Sequence, residues 1–254
     1  MTTREDIRAQ ATATRSKLFG ANAPAPQHVP AELADLLSEI THGAVWSRPG
    51  LAMADRMLAT LSALAANVRL APLKRHVGSA LDLGLTPVAI QEICLQSLLY
   101  SGFVNVEDVF TVLGEVFAAR ALTPPEAPRD AASLEELSAR GADKMNTLHG
   151  ARAKQGYADP ANTTTAAMYP AAIRYGYGAL WFRPGLEMRQ RALVSVAAFT
   201  SLRMAEQVRK FGQSAINAGA TRAEIVETII QTAPYSGFPP ALNALAAIGE
   251  ALPG

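Results

Sequence analysis

The sequence predicts an all-α protein made of two fused homologous helical bundles packed as a pseudo-twofold dimer within one chain. Three observations carry that expectation. First, Trp46-Ser47-Arg48-Pro49-Gly50-Leu51 returns as Trp181-Phe182-Arg183-Pro184-Gly185-Leu186, and Tyr100-Ser101-Gly102-Phe103 returns as Tyr235-Ser236-Gly237-Phe238, both at an offset of 135. Between these anchors the register holds: Ser79 to Phe103 against Ser214 to Phe238 gives eleven identities in twenty-five positions. A period this long exceeds a solenoid repeat of ~20–50 residues, so each copy is a domain-sized unit. Second, apolar residues recur at helical spacing, the breaks are made by Gly and Pro, and strand signals are weak. Third, each copy contains a helix apolar on nearly every face, Leu51 to Asn67 and Leu186 to Leu202, and such helices need a partner.

Taken in order, Arg4 to Phe19 reads as an opening helix. A loop containing Pro24, Pro26 and Pro30 leads to a second helix over Glu32 to Gly43, and Pro49-Gly50 then forces a turn. The apolar Leu51 to Asn67 is the central helix. Pro72 to Leu83 carries Leu73, His76, Val77 and Ala80 on one face, with Gly84 where a left-handed C-terminal cap is wanted. Thr86-Pro87 reads as an N-cap and first-turn proline of a helix reaching about Tyr100; the second copy starts the same helix with the capping box Thr221-Arg222-Ala223-Glu224. Leu122 to Ser133, with Pro124, Pro125 and Pro128, joins the copies, and Ser133-Leu134-Glu135-Glu136 is a further capping box. Leu18-Phe19-Gly20 and Leu148-His149-Gly150 close related amphipathic helices. The two repeats therefore span 1–122 and 130–254.

Twenty-three basic and twenty-two acidic residues leave a net charge of +1 without basic or acidic blocks, which argues against nucleic acid and anionic membranes as partners. No apolar run reaches ~18 residues and the amino terminus lacks a signal-peptide core, so a cytoplasmic protein is expected. The single cysteine, Cys94, excludes an intrachain disulfide and fits a reducing compartment.

The ordered set Trp46-Ser47-Arg48-Pro49-Gly50-Leu51, the helix bearing His76, Gly84-Leu85-Thr86 with Glu92, and Tyr100-Ser101-Gly102-Phe103 resembles the carboxymuconolactone decarboxylases and their alkylhydroperoxidase-like relatives. In the second copy the resemblance rests on Asn217-Ala218-Gly219, Glu227, Tyr235-Ser236-Gly237-Phe238-Pro239 and Asn243-Ala244. It implies a helical bundle in each half and assembly from intertwined dimers, here partly replaced by the fusion. A homo-oligomer follows, either a dimer or a trimer of two-copy chains mimicking a hexamer. The redox branch of this superfamily carries Cys-x-x-Cys-x-x-x-His. Counting back from His76 lands on Pro72 and Arg69, and from Phe211 on Gln207 and Met204, so a thiol peroxidase is not expected. Cys94, among Ile90, Ile93 and Leu98, reads as a buried small hydrophobe.

His76 matches the histidine of the decarboxylase branch, whereas the second copy has Phe211 there. An imidazole that ionises near neutral pH binds a carboxylate or passes a proton to a carbanion; a phenyl ring does neither. The competing reading is a structural histidine at the edge of an apolar face. Glu92 and Tyr100 join His76 as catalytic candidates, Glu92 orienting the histidine or a buried backbone group, with a solvated or structural polar pair and simple packing as their competing readings. Arg48, Arg183, Tyr235 and Glu227 are candidates for substrate binding, the arginines as carboxylate clamps, although structural ion pairs and packing explain the same residues equally well. His28, His42 and His149 are too far apart in sequence to spell a metal site, and none is expected. After Phe103 the first copy has Val104-Asn105-Val106-Glu107-Asp108 where the second has Pro239-Pro240-Ala241-Leu242-Asn243, which adds two carboxylates near the expected pocket mouth.

These residues point to a cofactor-free lyase acting on a small-molecule substrate, a carboxylated lactone or keto acid such as an aromatic or polyketide intermediate, with His76 as general acid/base. The alternatives are rearrangement, lactone opening or oxygenation of such an intermediate, with or without a metal, and a non-catalytic binding or scaffold protein.

Overall fold

A computed structural model describes residues 2–21, 28–126, 129–159 and 161–252. Pro24, Pro26 and Pro128 of the expected loops lie outside the described residues. Helix α1 (Arg4–Phe19) opens with a capping box: the Thr3 hydroxyl accepts from the Asp6 amide while the Asp6 carboxylate accepts from the Thr3 amide. Helix α2 spans Ala31–Ser38 and then widens into a π-helical turn over Glu39–Trp46, where the sequence predicts an ordinary helix to Gly43. The reason is contact with α1. A Cβ on Gly43 would stand 2.5 Å from the Ile7 carbonyl oxygen, so the two backbones meet at that glycine. The wider turn accommodates the approach and ends with Trp46 buried.

The central helix α3 (Met53–Ala66) is buried at every position but its first two. Helices α4 (Leu70–Asp82), α5 (Pro87–Ser101) and α6 (Val106–Ala119) complete the first half. The Thr86 hydroxyl accepts from the Ala89 amide at 3.1 Å with Pro87 in the first turn, as the sequence predicts. Gly84 has φ 88°, the left-handed conformation its capping position requires. The second half repeats the order. Helix α7 (Leu134–His149) begins with the Ser133 capping box, and short 3₁₀ turns lead to a single helical turn, α8 (Tyr169–Ala171), and a second π-helical turn at Ala172–Tyr177. Helices α9 (Met188–Ser201), α10 (Ala205–Asn217), α11 (Arg222–Ser236) and α12 (Phe238–Ala251) follow. Among the described residues there are no strands, and no helix is long and apolar enough to cross a membrane.

Helices α3 and α9 pack on each other, and α5 and α11 each lie against both. The outer layers are α4 with α6 in one half and α10 with α12 in the other, while α1 and α7 rest on the two π turns. This is a pseudo-twofold pair of helical bundles with one continuous core. Its seam is tied by crossed ion pairs. Glu227 of α11 accepts from Arg48 at 2.7 Å and Arg56 at 2.9 Å in the first half; Glu92 of α5 accepts from Arg183 at 2.7 Å and Arg191 at 2.9 Å in the second. Arg56 and Arg191, each donating also to the glutamine one turn beyond that carboxylate, are almost fully buried.

Candidate functional site

His76 projects from α4 and is 6% exposed. Its Nδ1 lies 2.8 Å from the Pro72 carbonyl oxygen, which accepts only, so Nδ1 carries the proton and Nε2 keeps its lone pair. Nε2 faces the Tyr235 hydroxyl at 3.4 Å, and that oxygen accepts from the Trp46 indole at 2.7 Å. Phe19 stands edge-on to His76 and to His42, whose own Nδ1 is 3.1 Å from the Ser38 hydroxyl. Burial holds His76 down to about 4, against the raising effect of its Pro72 hydrogen bond. The resting imidazole is therefore neutral at pH 7, which moves its ionisation away from the neutral range expected from sequence. The site is built across the seam, because α11 of the second half supplies its phenol.

A counterpart occupies the pseudo-equivalent place in the other half, with its rings exchanged. Phe211 stands where the first half has His76, Tyr177 where it has His42, and His149 takes the place of Phe19 at the end of the opening helix. His149 is edge-on to both neighbours, 5.6 Å from Tyr177 and 5.1 Å from Phe211 between ring centroids. Tyr100 crosses from α5 to fill the role of Tyr235, its hydroxyl 2.7 Å from Ser195 and 2.9 Å from the Gln96 amide nitrogen.

The structure thus brings His76 together with Tyr235, not with Tyr100, which serves the second half. Glu92 does not orient His76; both its oxygens accept from Arg183 and Arg191. Arg48, Arg183 and Glu227 sit in the same crossed pairs, so the ion-pair reading describes their positions. Glu107 and Asp108 are exposed in the first turn of α6, where negative charge complements the helix N-terminus. Cys94 is fully buried and its thiol is pushed up to about 12, so it stays protonated. Among the described residues no three His, Cys, Asp or Glu side chains are grouped to hold a metal ion. The roles of Tyr177 and His149 were not found from sequence. The 135 offset from His42 to Tyr177 and the echo of Leu18-Phe19-Gly20 in Leu148-His149-Gly150 were the available signals.

A doubled helical bundle with a histidine and a cross-half tyrosine in each copy defines a class that comparison with known proteins identifies. The carboxymuconolactone decarboxylase family model matches residues 31–115 and 166–250, one match per half, and the chain belongs to that family. It is 34% identical over 66 residues to 4-carboxymuconolactone decarboxylase of Acinetobacter baylyi, covering 26% of this chain and 49% of that protein. It is 31% identical over 71 residues to nitrosuccinic acid decarboxylase of Metarhizium robertsii, covering 28% of this chain and 50% of that one. The chain spans about half the length of these curated relatives.

Proposed function

We propose that this protein is a cofactor-free lyase that removes carbon dioxide from a small carboxylated lactone or keto acid, with His76 as its proton carrier. The observation that carries the reading is the His76 imidazole, tethered through Nδ1 to Pro72 with Nε2 turned toward the cross-half Tyr235. The two decarboxylase relatives support the reaction class. Burial keeps the empty site's imidazole neutral; an anionic substrate beside it favours the charged form and draws a proton from solvent onto Nε2. Carbon–carbon cleavage releases carbon dioxide and leaves the electron pair on the substrate as an enolate, beside the hydroxyl of Tyr235. Nε2–H then gives its proton to carbon, and neutral imidazole is restored.

Release of carbon dioxide from a panel of carboxylated lactones and aromatic keto acids tests this. His76→Phe is expected to lower kcat by ~10²-fold or more, with stability kept within about 1–2 kcal/mol. Phe211→His does not restore it, because the rings around that position have been exchanged. Since the reactive form is protonated, kcat falls as pH rises, and that limb lies above the limb of kcat/KM, which reports the free site near 4. Equal rates for parent and His76→Phe on the true substrate overturn the reading.

A further inference from the structure

We propose that the second half holds a separate ligand site, a cavity of about 540 Å³ that takes a planar aromatic carboxylate, with the acid group on Arg152 and the ring among Tyr177, Trp181 and Phe211. This goes beyond the lyase reading, which rests on His76 in the other half.

The size suits the purpose: ligand pockets run from about 300 to 1,000 Å³ and are mostly apolar with a few polar groups that orient the guest. The walls are aromatic. Tyr177 stacks on Trp181 with 6.0 Å between centroids, and Phe211 packs against Phe199 at 4.9 Å. The charge at the site is defined by its partners. Arg209 and Lys210, also on the lining, share the carboxylate of Glu206 at 2.6 and 3.5 Å, and the Lys210 ammonium lies over the Tyr157 ring. Arg152 is different. Its Nη1 donates to the Lys210 carbonyl at 2.8 Å and its Nη2 to the Ser214 hydroxyl at 3.3 Å, and among the described residues no carboxylate lies within ion-pair distance. Neutral acceptors therefore hold a half-buried guanidinium in place while leaving its charge uncompensated, an arrangement suited to a carboxylate.

Next to it, His149 is held between the Ser214 hydroxyl at 2.7 Å from Nδ1 and the Tyr177 hydroxyl at 3.0 Å from Nε2. Burial and the charge of Arg152 hold this imidazole down to about 4, so in the empty site it is neutral and Arg152 supplies the cation. The exchange of rings between the halves gives the pocket its own chemistry. The imidazole has moved from α4's equivalent, where Phe211 now stands, to the end of α7. Five more residues separate Gly150 from Trp181 than separate Gly20 from Trp46. This longer segment contributes Gln155, Gly156, Tyr157 and Tyr169 to the cavity.

Calorimetric titration of the full chain with 2-naphthoate, alongside the uncharged 2-naphthalenemethanol, tests the proposal. The acid is expected to bind saturably in the millimolar range or tighter, and Arg152→Gln and the alcohol each to weaken binding by about tenfold or more, the loss expected for one charge-assisted hydrogen-bonded contact. His76→Phe keeps the naphthoate equivalent. The proposal is overturned by any of three results: no saturable naphthoate binding in the parent, the alcohol binding as tightly as the acid, or loss of binding in His76→Phe with retention in Arg152→Gln. The alcohol keeps the test decisive even if Arg152→Gln does not fold. Turnover plays no part in the readout, so failure here and failure of the lyase reading are separate results.

Discussion

Glu92 and Glu227 each neutralise a buried arginine of the opposite half, and this pairing gives the matched Glu-Gln pair on α5 and α11 a structural role at the seam. Removing one partner of a buried pair is costly because the other charge stays behind in a poor solvent. Glu92→Ala leaves Arg191, whose side chain is 2% exposed, without its carboxylate. The expected cost is about 3–5 kcal/mol in urea denaturation. Arg183→Ala removes the 37% exposed partner of the same carboxylate, and its expected cost is about 1 kcal/mol or less. A catalytic Glu92 would behave in the opposite way, losing turnover while keeping the denaturation midpoint.

At the scale of elements, the helices announced by local chemistry were legible and the close approaches were not. Thr86, Ser133 and Thr221 cap their helices because a hydroxyl and an amide three residues on suffice to write the signal. The π turns depend instead on distant backbone. Gly43 meets Ile7, and its equivalent Gly178 meets the Leu137 carbonyl. The same limit hid the second site. His76 against Phe211 is visible at the offset of 135, but His149 answers Phe19 only at a different offset, 130, and its contact with Phe211 appears only once α7 is packed on α10. Likewise, the bond from Trp46 to Tyr235 joins residues 189 positions apart, which no local pattern encodes. Gly178→Ala sets a methyl group against main-chain carbonyls that cannot swing aside, so it should destabilise by at least about 1–3 kcal/mol. Gly114→Ala, in the exposed interior of α6 with nothing within 4 Å of a new Cβ, should instead stabilise by about 0.5–1 kcal/mol. Thermal denaturation of the two variants checks both signs, and similar shifts in the same direction would contradict the close-approach account of the π turn.

For the whole molecule, the question is what each half can do alone. A fragment of residues 1–122 keeps α3, which the complete chain buries along nearly its whole length against α5, α9 and α11. It loses Glu227, leaving Arg56 without its carboxylate on an uncovered apolar face, and it loses Tyr235 from beside His76. The fragment nevertheless carries its own Arg48, Arg56, Glu92, Gln96 and Tyr100, the same residue types that the other half contributes to the seam. Two copies can therefore rebuild the crossed pairs by presenting Glu92 of each to the arginines of the other. The expected outcome is self-association, as a symmetric dimer or as larger aggregates where the apolar face is covered less well. Residues 130–254 added in equal amount should compete for the same face and return a one-to-one complex, since the native seam was shaped between the two halves. Sedimentation velocity on the fragment and on the mixture decides it: a stable, folded monomer of residues 1–122 would show that α3 needs no partner and that the pseudo-twofold seam is not what holds this fold together.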